Sequence, residues 1–489
     1  MGKSTRRDFM KTTMAAGAAM VLAGPNSRVL GANNDLRIAV VGVGGQGSNH
    51  IGYFNEKKGV RVVALCDADK AHVEGRAGDF EKKYGQKVKT YIDVRELLED
   101  KNIDAITSAT PNFWHSLVTI WACQAGKDVY IEKPVSHNIW EGRKAVEAAR
   151  KYDRIVQTGT QKRSDEGLIE AFAYIKEGKL GAIKWSRGFC YKPRFSGDGI
   201  VNGTNGPISP PATVDYNLWC GPADMEPLRR TQLHYLWHWV WNTGNGDVGN
   251  QGIHEMDLSR WVLGGPEKLA PRVMSIGGRF GVNDAGETAN TQIIFLDYKP
   301  APLIFEVRGL PRKKGDTLMD YYRKVTQIGM VVQCENGYFA GGDGGGWAYD
   351  NNGQKIKQFK GGGGGEHHQN FIDAVRSRKV SDLNADIEKG HLSSALCHMG
   401  NISYRLGKKT SVDEVKAAIG NNAELMDSFD RMLTHLTANE VDLQKEPITI
   451  GPMLTMDSEK EVFVGEHADW ANMYLKRNYR EPFVVPDKV

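Results

Sequence analysis

The fold is decided by the stretch LRIAVVGVGGQG at residues 36–47. Its apolar first half predicts a buried strand, and the glycine-rich turn after it predicts the start of a helix. In this spacing Gly42 permits the tight turn, Gly44 lets the backbone approach a pyrophosphate, and Gly47 lets the helix pack closely on the sheet. The free N–H groups at the helix start would then face the phosphates. The stretch therefore predicts a dinucleotide site that includes Gly42, Gly44, Gly45, Gln46 and Gly47; the alternative is a glycine-rich turn without a ligand.

An acidic residue stands where the second strand of such a domain ends. Asp67 follows an apolar run and lies twenty residues beyond the last glycine of the turn. A carboxylate there accepts hydrogen bonds from both ribose hydroxyls and repels a 2′-phosphate, so we expect NAD rather than NADP. The alternative is that Asp67 caps the next helix, although Asp69 is placed to do so instead.

The pattern of apolar runs and helices changes near residue 160 and divides the chain into two predicted domains. Short β-branched runs alternate with amphipathic helices, which predicts a doubly wound parallel sheet of the Rossmann type over residues 33–160. Beyond residue 160 the apolar runs follow one another with few helices between them. This predicts an α/β domain with an open, mostly antiparallel sheet over residues 161–410. The glycine runs at 341–346 and 361–365 predict loops, and residues 411–489 are interpreted as a C-terminal extension.

Polar residues follow the fourth and fifth strands predicted for the first domain. Thr110, Asn112 and His115 come after the fourth, and Glu132 and Lys133 come after the fifth, just before a proline. Polar groups at the carboxyl ends of parallel strands face the ligand crevice, so we expect all five to contact the cofactor. An ammonium fixed there by the following proline would also stabilise a developing alkoxide. The alternatives are a helix cap for the first group and a surface lysine for the second.

A second cluster lies further along the chain. Asn250, His254 and Asp257 are spaced to share one face of a helix. Histidine is a natural proton acceptor for an alcohol, so His254 and Asn250 are candidate catalytic residues; a structural histidine is the alternative. We predict no metal site, because the cluster lacks HExxH spacing and the six cysteines form no CxxC pair. Those cysteines are expected to be mostly buried free thiols.

The motifs together resemble those of one enzyme family. The glycine fingerprint, Thr110-Pro111 with His115, Glu132-Lys133-Pro134 and Gly252-Ile253-His254 occur in the order typical of the Gfo/Idh/MocA oxidoreductases. The resemblance covers residues 35 to about 406. It implies an NAD(P)-dependent oxidoreductase acting on CH–OH groups, with a Rossmann domain and a substrate domain that often forms dimers or tetramers.

The resemblance also implies roles for individual residues. Lys133 would contact the substrate hydroxyl, and His254 would be the acid/base. Many members carry an aspartate four residues before this histidine, where the present chain has Asn250. An amide orients an imidazole without stabilising its charged form, so the sequence leaves open whether His254 or Lys133 is the main base.

The N-terminus predicts export. Arg6 and Arg7 precede a short alanine-rich apolar run at residues 14–22, so residues 1–32 are interpreted as a twin-arginine signal for a periplasmic or otherwise exported protein. A basic first helix of the mature protein is the alternative. The chain has 63 Lys+Arg and 59 Asp+Glu, and the signal region contributes four of the net positive charges. The remainder is neutral, so we expect no nucleic-acid partner. The apolar run is too short and too alanine-rich for a membrane span, and we expect none in the mature chain.

Three functions remain open from the sequence. The first is an exported NAD-dependent oxidoreductase acting on a carbinol of a sugar or sugar-like polyol. The second is a glycoside hydrolase that uses bound, recycled NAD for transient oxidation and elimination. The third is a member that binds nucleotide or sugar without catalysis. The aromatic segment HYLWHWVW at residues 234–241 favours a sugar ligand if its rings stack on C–H faces; otherwise it is an aromatic core or an oligomer contact.

Overall fold

The computed structural model describes residues 35–194 and 199–489. The predicted export signal at residues 1–32 lies outside the described residues. Among the described residues, no helix is both long and apolar enough to cross a membrane. All six cysteines are buried and unpaired, as the sequence predicts.

The first domain is built on a six-stranded parallel sheet with strand order β3-β2-β1-β4-β5-β6. The chain order reverses between β1 and β4, which opens a ligand crevice at the carboxyl ends of these two strands. The predicted Rossmann sheet is therefore confirmed. Its strands are β1 (Leu36–Val41), β2 (Val60–Cys66), β3 (Lys89–Tyr91), β4 (Ala105–Ser108), β5 (Asp128–Ile131) and β6 (Val156–Thr158). Its helices are α1 (Gly45–Asn55), α2 (Lys70–Tyr84), α3 (Val94–Glu99), α4 (Asn112–Gln124) and α5 (Ile139–Lys151).

The second domain is built on a large mixed sheet with strand order β18-β17-β16-β15-β7-β12-β11-β10-β20-β19. β7 and β12 pair in parallel, and the other neighbours pair antiparallel, which confirms the predicted class. Its strands are β7 (Ile183–Tyr191), β10 (Arg272–Gly278), β11 (Thr291–Leu296), β12 (Leu303–Arg308), β15 (Ile328–Cys334), β16 (Tyr338–Gly342), β17 (Gly345–Tyr349), β18 (Lys355–Lys360), β19 (Lys408–Thr410) and β20 (Ile448–Ile450), with β21 (Leu454–Asp457) and β22 (Val462–Val464) paired beside β10.

Two small ribbons and eight helices complete this part of the described chain. The ribbons are β8 (Gly203–Ile208) with β9 (Leu228–Arg230), and β13 (Tyr321–Tyr322) with β14 (Val325–Thr326). The helices are α6 (Glu166–Lys176), α7 (Tyr216–Cys220), α8 (Ile253–Val262), α9 (His367–Ser377), α10 (Ile387–Arg405), α11 (Val412–Ile419), α12 (Ala423–Ala438) and α13 (Ala468–Asn472). Short 3-10 turns cover Gln161–Ser164, Leu236–Trp239 and Val380–Asp382, and a π-helical turn covers Val248–Gly252.

The loop predicted for one of the two glycine runs is mostly wrong. Residues 341–346 were predicted to be a loop, but only Asp343 and Gly344 form a turn, and the flanking glycines lie in the facing ends of β16 and β17. A Cβ on Gly341 would lie 2.3 Å from the carbonyl oxygen of Gly345, so the two backbones pack closer than side chains allow. The glycines here permit a tight strand pair rather than a flexible turn.

The C-terminal extension covers one face of the second sheet. Phe429 and Met432 of α12 are buried against Phe295 and Ile304, which belong to strands β11 and β12. Helix α9 packs on the other domain, where Phe371 lies in the same apolar cluster as β1. The two domains therefore share packing surfaces beyond the crevice itself.

Candidate functional site

The glycine turn has the geometry that its sequence predicts. Gly42 has φ +76°, a conformation that favours glycine, and a Cβ on it would lie 2.7 Å from the backbone nitrogen of Thr110. A Cβ on Gly47 would lie 1.7 Å from the carbonyl oxygen of Gly42. By contrast, a Cβ on Gly44 or Gly45 would meet no atom within 4 Å. The first pair holds the turn and helix together, and the second pair leaves open space in front of the backbone.

That open space belongs to a cavity of about 630 Å³ at the carboxyl ends of β1 and β4. Its wall combines residues of the first domain with the segment 234–238 and with the π-helical turn of the second domain. Most of the residues predicted for the cofactor or for catalysis line it: Gly42, Gly44, Gly45, Gln46, Asp67, Thr110, His115, Glu132, Lys133 and Asn250. The other three lie behind the wall: Gly47, Asn112 and His254.

Asp67 is fixed at one end of the cavity. One carboxylate oxygen accepts the N–H of Val43 at 2.8 Å, and the other accepts the N–H of Asp69 at 2.9 Å. The carboxylate is thus tied to the glycine turn, where it faces the ribose position of a bound dinucleotide. The carboxylate of Asp67, 3.9 Å from a ring nitrogen of His72, raises the pKa of that histidine, although partial burial acts in the opposite direction.

A polar contact between His234 and Asp69, called the latch below, joins the two domains next to Asp67. The Nε2 atom of His234, from the second domain, lies 3.0 Å from a carboxylate oxygen of Asp69. Asp69, His72 and His234 bring their ligand atoms within 4.8 Å of one another, a spacing compatible with a metal ion that the sequence did not indicate. Asp69 also caps α2 through the N–H of Ala71, in agreement with the cap assigned to it from the sequence.

The side chains of Asn112 and His115, which follow β4, make hydrogen bonds with other parts of the cavity wall. Asn112 donates to the side-chain oxygen of Asn245 at 2.6 Å and so contacts the second domain. The ring nitrogens of His115 lie 2.6 Å from the carbonyl oxygen of Pro134 and 2.8 Å from that of Thr110. Burial lowers the pKa of His115, so a neutral ring donates to one of these carbonyls. His115 thereby connects the loop after β4 to the loop that carries Lys133.

Glu132 forms a buried network behind the glycine turn. Its carboxylate accepts a hydrogen bond from His50 at 3.1 Å and one from the side-chain amide of Gln46 at 3.2 Å. Burial raises the pKa of Glu132, but the hydrogen bond with His50 and the charge of Lys133 outweigh it and hold the pKa below its usual value. Gln46 and Glu132 both line the cavity, and their polar ends are bonded to each other.

Lys133 is placed by both domains. Its ammonium donates to the carbonyl oxygen of Asn250 at 3.0 Å, across 117 residues of sequence. Burial lowers the pKa of Lys133, and the nearby charge of Arg194 lowers it further, while Glu132 acts in the opposite direction. The result is a desolvated cation at the end of the cavity opposite Asp67.

His254 lies one turn beyond Asn250. It is 6% exposed, and its Nδ1 atom is buried without a hydrogen-bond partner among the described residues. Burial and the charges of Lys133 and Lys162 hold the pKa of His254 well below its usual value. The side-chain amide nitrogen of Asn250 is also buried without a partner in the described part of the chain. Such orphaned polar atoms beside a cavity fit a site that a ligand completes.

The helical face predicted for these residues is partly wrong. Val248–Gly252 forms a π-helical turn before α8 begins, so the spacing of an α-helix does not apply across it. Asp257 makes two hydrogen bonds of 2.7 Å with Arg163, buried away from the cavity. The face therefore presents Asn250 toward the cavity and Asp257 toward the protein interior.

His238 is a candidate that the sequence did not single out. It lines the cavity, and its Nδ1 lies 2.6 Å from the carbonyl oxygen of Tyr235. Because a carbonyl accepts hydrogen bonds, Nδ1 carries the proton and Nε2 is left as an acceptor. Burial lowers the pKa of His238 to about 3, so the ring stays neutral. The sequence feature that could have indicated His238 is its place in the aromatic segment 234–241. Trp237 stacks on its ring, with 3.5 Å between the ring centroids.

The first domain with its glycine cradle and carboxylate has the features of an NAD-binding oxidoreductase domain. A family model described as "Oxidoreductase family, NAD-binding Rossmann fold" matches residues 36–160. A second model of the same family, described as "Oxidoreductase family, C-terminal alpha/beta domain", matches residues 179–299. Together they cover half of the chain, and the chain belongs to the Gfo/Idh/MocA oxidoreductase family. NAD is therefore the cofactor of the first domain, and the cradle, the cavity and Asp67 fit it.

The curated relatives are similar over part of their length. An inositol 2-dehydrogenase of Salmonella typhimurium is 34% identical over 148 residues, which is 30% of this chain and 43% of that protein. A scyllo-inositol 2-dehydrogenase (NAD(+)) of Bacillus subtilis is 31% identical over 162 residues, 32% of this chain and 44% of that protein. A glycosyl hydrolase family 109 protein of a Shewanella species is 29% identical over 159 residues, 28% of this chain and 35% of that protein. The chain thus spans less than half the length of these relatives.

Solved structures agree with the fold. The WlbA dehydrogenase of Bordetella pertussis, in complex with NADH and UDP-GlcNAcA, matches with a TM-score of 0.54 at 20% identity, covering 75% of this chain and 95% of that one. An oxidoreductase of Thermotoga maritima matches with a TM-score of 0.56 at 15% identity, covering 75% and 96%. At these identities the likeness concerns the arrangement of the two domains.

Proposed function

We propose that the protein is an NAD-dependent oxidoreductase that acts on a carbinol of a sugar or sugar-like polyol by hydride transfer. The observation that carries the proposal is a single cavity with the glycine cradle and Asp67 at one end and the desolvated ammonium of Lys133 at the other. A dinucleotide bound along the cradle points its reactive end toward that ammonium. The inositol dehydrogenases among the relatives support a polyol as the substrate class.

The residues around Lys133 supply the groups that this reaction needs. The ammonium, held by the carbonyl of Asn250, stabilises negative charge on the substrate oxygen in a site of low dielectric. The Nε2 atom of His238 is placed as a proton acceptor, and His254 is a second neutral imidazole behind the wall. When bound, NAD supplies the acceptor for the hydride.

The test separates cofactor binding from chemistry. Protein purified in folded form is denatured, and released nucleotide is assayed to establish whether NAD is carried. NADH formation is then followed at 340 nm with a panel of inositols and aldoses. We expect Lys133→Met to abolish turnover while NAD binding stays measurable by calorimetry. Full activity of Lys133→Met would refute the role of the ammonium, and absence of nucleotide binding would refute the proposal as a whole.

A second candidate function is hydrolysis of a glycoside through transient oxidation with bound NAD. The Shewanella glycosyl hydrolase relative favours it, since its similarity also covers about 160 residues. The assay is release of p-nitrophenol from p-nitrophenyl glycosides by protein that carries its own nucleotide. Release of p-nitrophenol without net formation of NADH would establish this reaction, provided that the sugar product formed in D2O also contains deuterium from the solvent. A stoichiometric yield of NADH would instead support the dehydrogenase.

Two further proposals concern the whole protein. Residues 1–32 direct export by the twin-arginine route, supported by Arg6 and Arg7 before the short apolar run. Replacing both arginines by lysine should retain a reporter fusion in the cytoplasm. We also propose that the protein is a homo-oligomer, because members of its family often form dimers or tetramers. Light scattering after gel filtration measures the mass of the particle directly, and a mass of one chain would contradict the proposal.

A further inference from the structure

Positive side chains gather near the π-helical turn that forms part of the cavity wall, and one of them, Lys133, lines the cavity itself. They come from both domains, and their charges act on one another: Arg194 lowers the pKa of Lys133, and both Lys162 and Lys192 lower that of His254. The cluster consists of Lys133, Lys162, Lys192 and Arg194. A concentration of cations in a partly buried site needs negative charge to balance it.

Two of the four cations have carboxylate partners within the protein. Lys162 lies 2.6 Å from a carboxylate oxygen of Glu255, and both side chains are almost fully buried. Arg194 donates to Asp247 at 3.1 Å and to the hydroxyl of Tyr235 at 2.5 Å. These pairs are internally neutral and need no ligand.

The other two cations have neutral partners. The ammonium of Lys133 donates to the carbonyl oxygen of Asn250, and that of Lys192 donates to the side-chain oxygen of Gln251, each at 3.0 Å. Within residues 35–194 and 199–489, neither ammonium has a carboxylate within 4.0 Å. The acid next to Lys133 in sequence, Glu132, directs its carboxylate to His50. Two ammonium groups therefore bracket the π-helical turn without ionic partners.

This arrangement costs stability in the free protein. Burial lowers the pKa of Lys192, and the charges of Arg194 and Lys133 lower it further. Lys192 directly follows β7, and its neighbour Pro193 restricts its backbone to extended forms. The fold thus holds a half-buried charge in a fixed position, and a negative group brought there would relieve the repulsion.

We propose that the substrate carries one acidic group, a carboxylate or a phosphate, which Lys192 binds while Lys133 contacts the reacting carbinol. This inference rests on the proposed oxidoreductase function and narrows its substrate to acidic sugars. The pyrophosphate of the cofactor does not meet this need, because it lies at the start of α1 by the glycine cradle. A single acidic group matches the single ammonium of Lys192, because the charge of Glu132 already acts on Lys133.

The experiment compares ligands that differ at one carbon. D-Glucose, D-glucuronate and D-glucose 6-phosphate share a ring and differ at C6, and the galactose series repeats the comparison with another ring. Steady-state kcat/KM is measured from NADH formation, and affinity is measured separately by calorimetry on the NAD-loaded protein. We expect at least one acidic sugar to exceed its neutral counterpart by roughly 10-fold or more in both measurements, the scale of a hydrogen bond to a charged group.

Two variants assign the preference to Lys192. In Lys192→Met the ratio of acidic to neutral kcat/KM should fall to about one, and in Lys192→Arg it should be largely retained, because arginine keeps the charge. Lys184→Met is the matched control: Lys184 lies on the same strand, is exposed and is far from the cavity end, so its ratio should equal that of the wild type. A preference for carboxylate over phosphate, or the reverse, identifies the group.

The outcomes distinguish this inference from the proposed function. Neutral sugars that bind and turn over as well as acidic ones would overturn the inference and leave the oxidoreductase intact. An acidic preference that survives in Lys192→Met would also overturn it. Acidic sugars that bind selectively through Lys192 without any NADH formation would support the inference and overturn the oxidoreductase. Absence of binding by either class would overturn the inference.

Discussion

The glycine turn permits a prediction whose size follows from the structure. Gly47→Ala places a Cβ 1.7 Å from the carbonyl oxygen of Gly42, whereas ordinary contact begins at 3.4 Å. Helix α1 and the turn must therefore separate by about 1.7 Å at this point. Overpacking of this kind typically costs about 1–3 kcal/mol of folding free energy. For a domain of this size we expect Tm to fall by roughly 2–12 °C. NAD affinity should fall as well, because the displaced helix no longer presents its N–H groups to the phosphates.

Gly44→Ala is the matched control. Its Cβ would meet no protein atom within 4 Å, so the free energy of unfolding should stay within about 0.5 kcal/mol of the wild type. The new methyl group lies where the backbone approaches the pyrophosphate, so NAD affinity should nevertheless fall. Differential scanning calorimetry of nucleotide-free protein measures the first effect, and isothermal calorimetry with NAD measures the second. A Gly47→Ala protein with unchanged Tm and affinity would refute this account of the turn.

Three other predictions address the site and its supports. His238→Gln should lower kcat/KM by roughly 10²–10⁴-fold in steady-state assays, because it removes a positioned proton acceptor; activity within twofold of the wild type would exclude that role. Arg163→Met should destabilise the protein by about 3–5 kcal/mol in chemical unfolding, since it removes the cation from the buried carboxylate of Asp257 and leaves only the hydroxyl of Ser393; an unchanged midpoint would contradict it. The pKa of His72 is raised on folding by Asp67, so this pair stabilises the folded state below the unfolded pKa of about 6.5 and loses that effect as pH rises through the folded value. His72→Gln should therefore be less stable than the wild type near pH 5 and equally stable near pH 9, and a difference that grows with pH would refute the assignment.

The parts of the site that local spacing determines could be predicted. The glycine turn, Asp67 and Lys133 each follow a strand whose end is recognisable from an apolar run, and the parallel sheet brings such ends to one edge. The spacing of a motif does not determine how a neighbouring helix begins. A π-helical turn before α8 was not visible in the sequence, so the direction of Asp257 was assigned wrongly.

Contacts between segments that are distant in the chain could not be predicted from the sequence, for a different reason. His234 and Asp69 are 165 residues apart, and Lys133 and the carbonyl of Asn250 are 117 apart. Neither pair has a local signature, since each depends on how the two domains dock. His238 was missed because an aromatic run predicts packing, whereas the role that we propose for it depends on one carbonyl that fixes its tautomer.

Both ends of the cavity are tied across the two domains. The latch between Asp69 and His234 joins them at the ribose end, and the bond from Lys133 to Asn250 joins them at the reactive end. Asn112 and Asn245 add a third buried bond along the wall. A dinucleotide that spans the cavity must therefore leave past contacts that belong to both domains, which favours slow release. Slow release would suit the export that we propose for this protein, because free nucleotide would not need to be replaced after each turnover. If exchange with labelled NAD proved faster than turnover, the cross-domain bonds would have no role in retaining the cofactor.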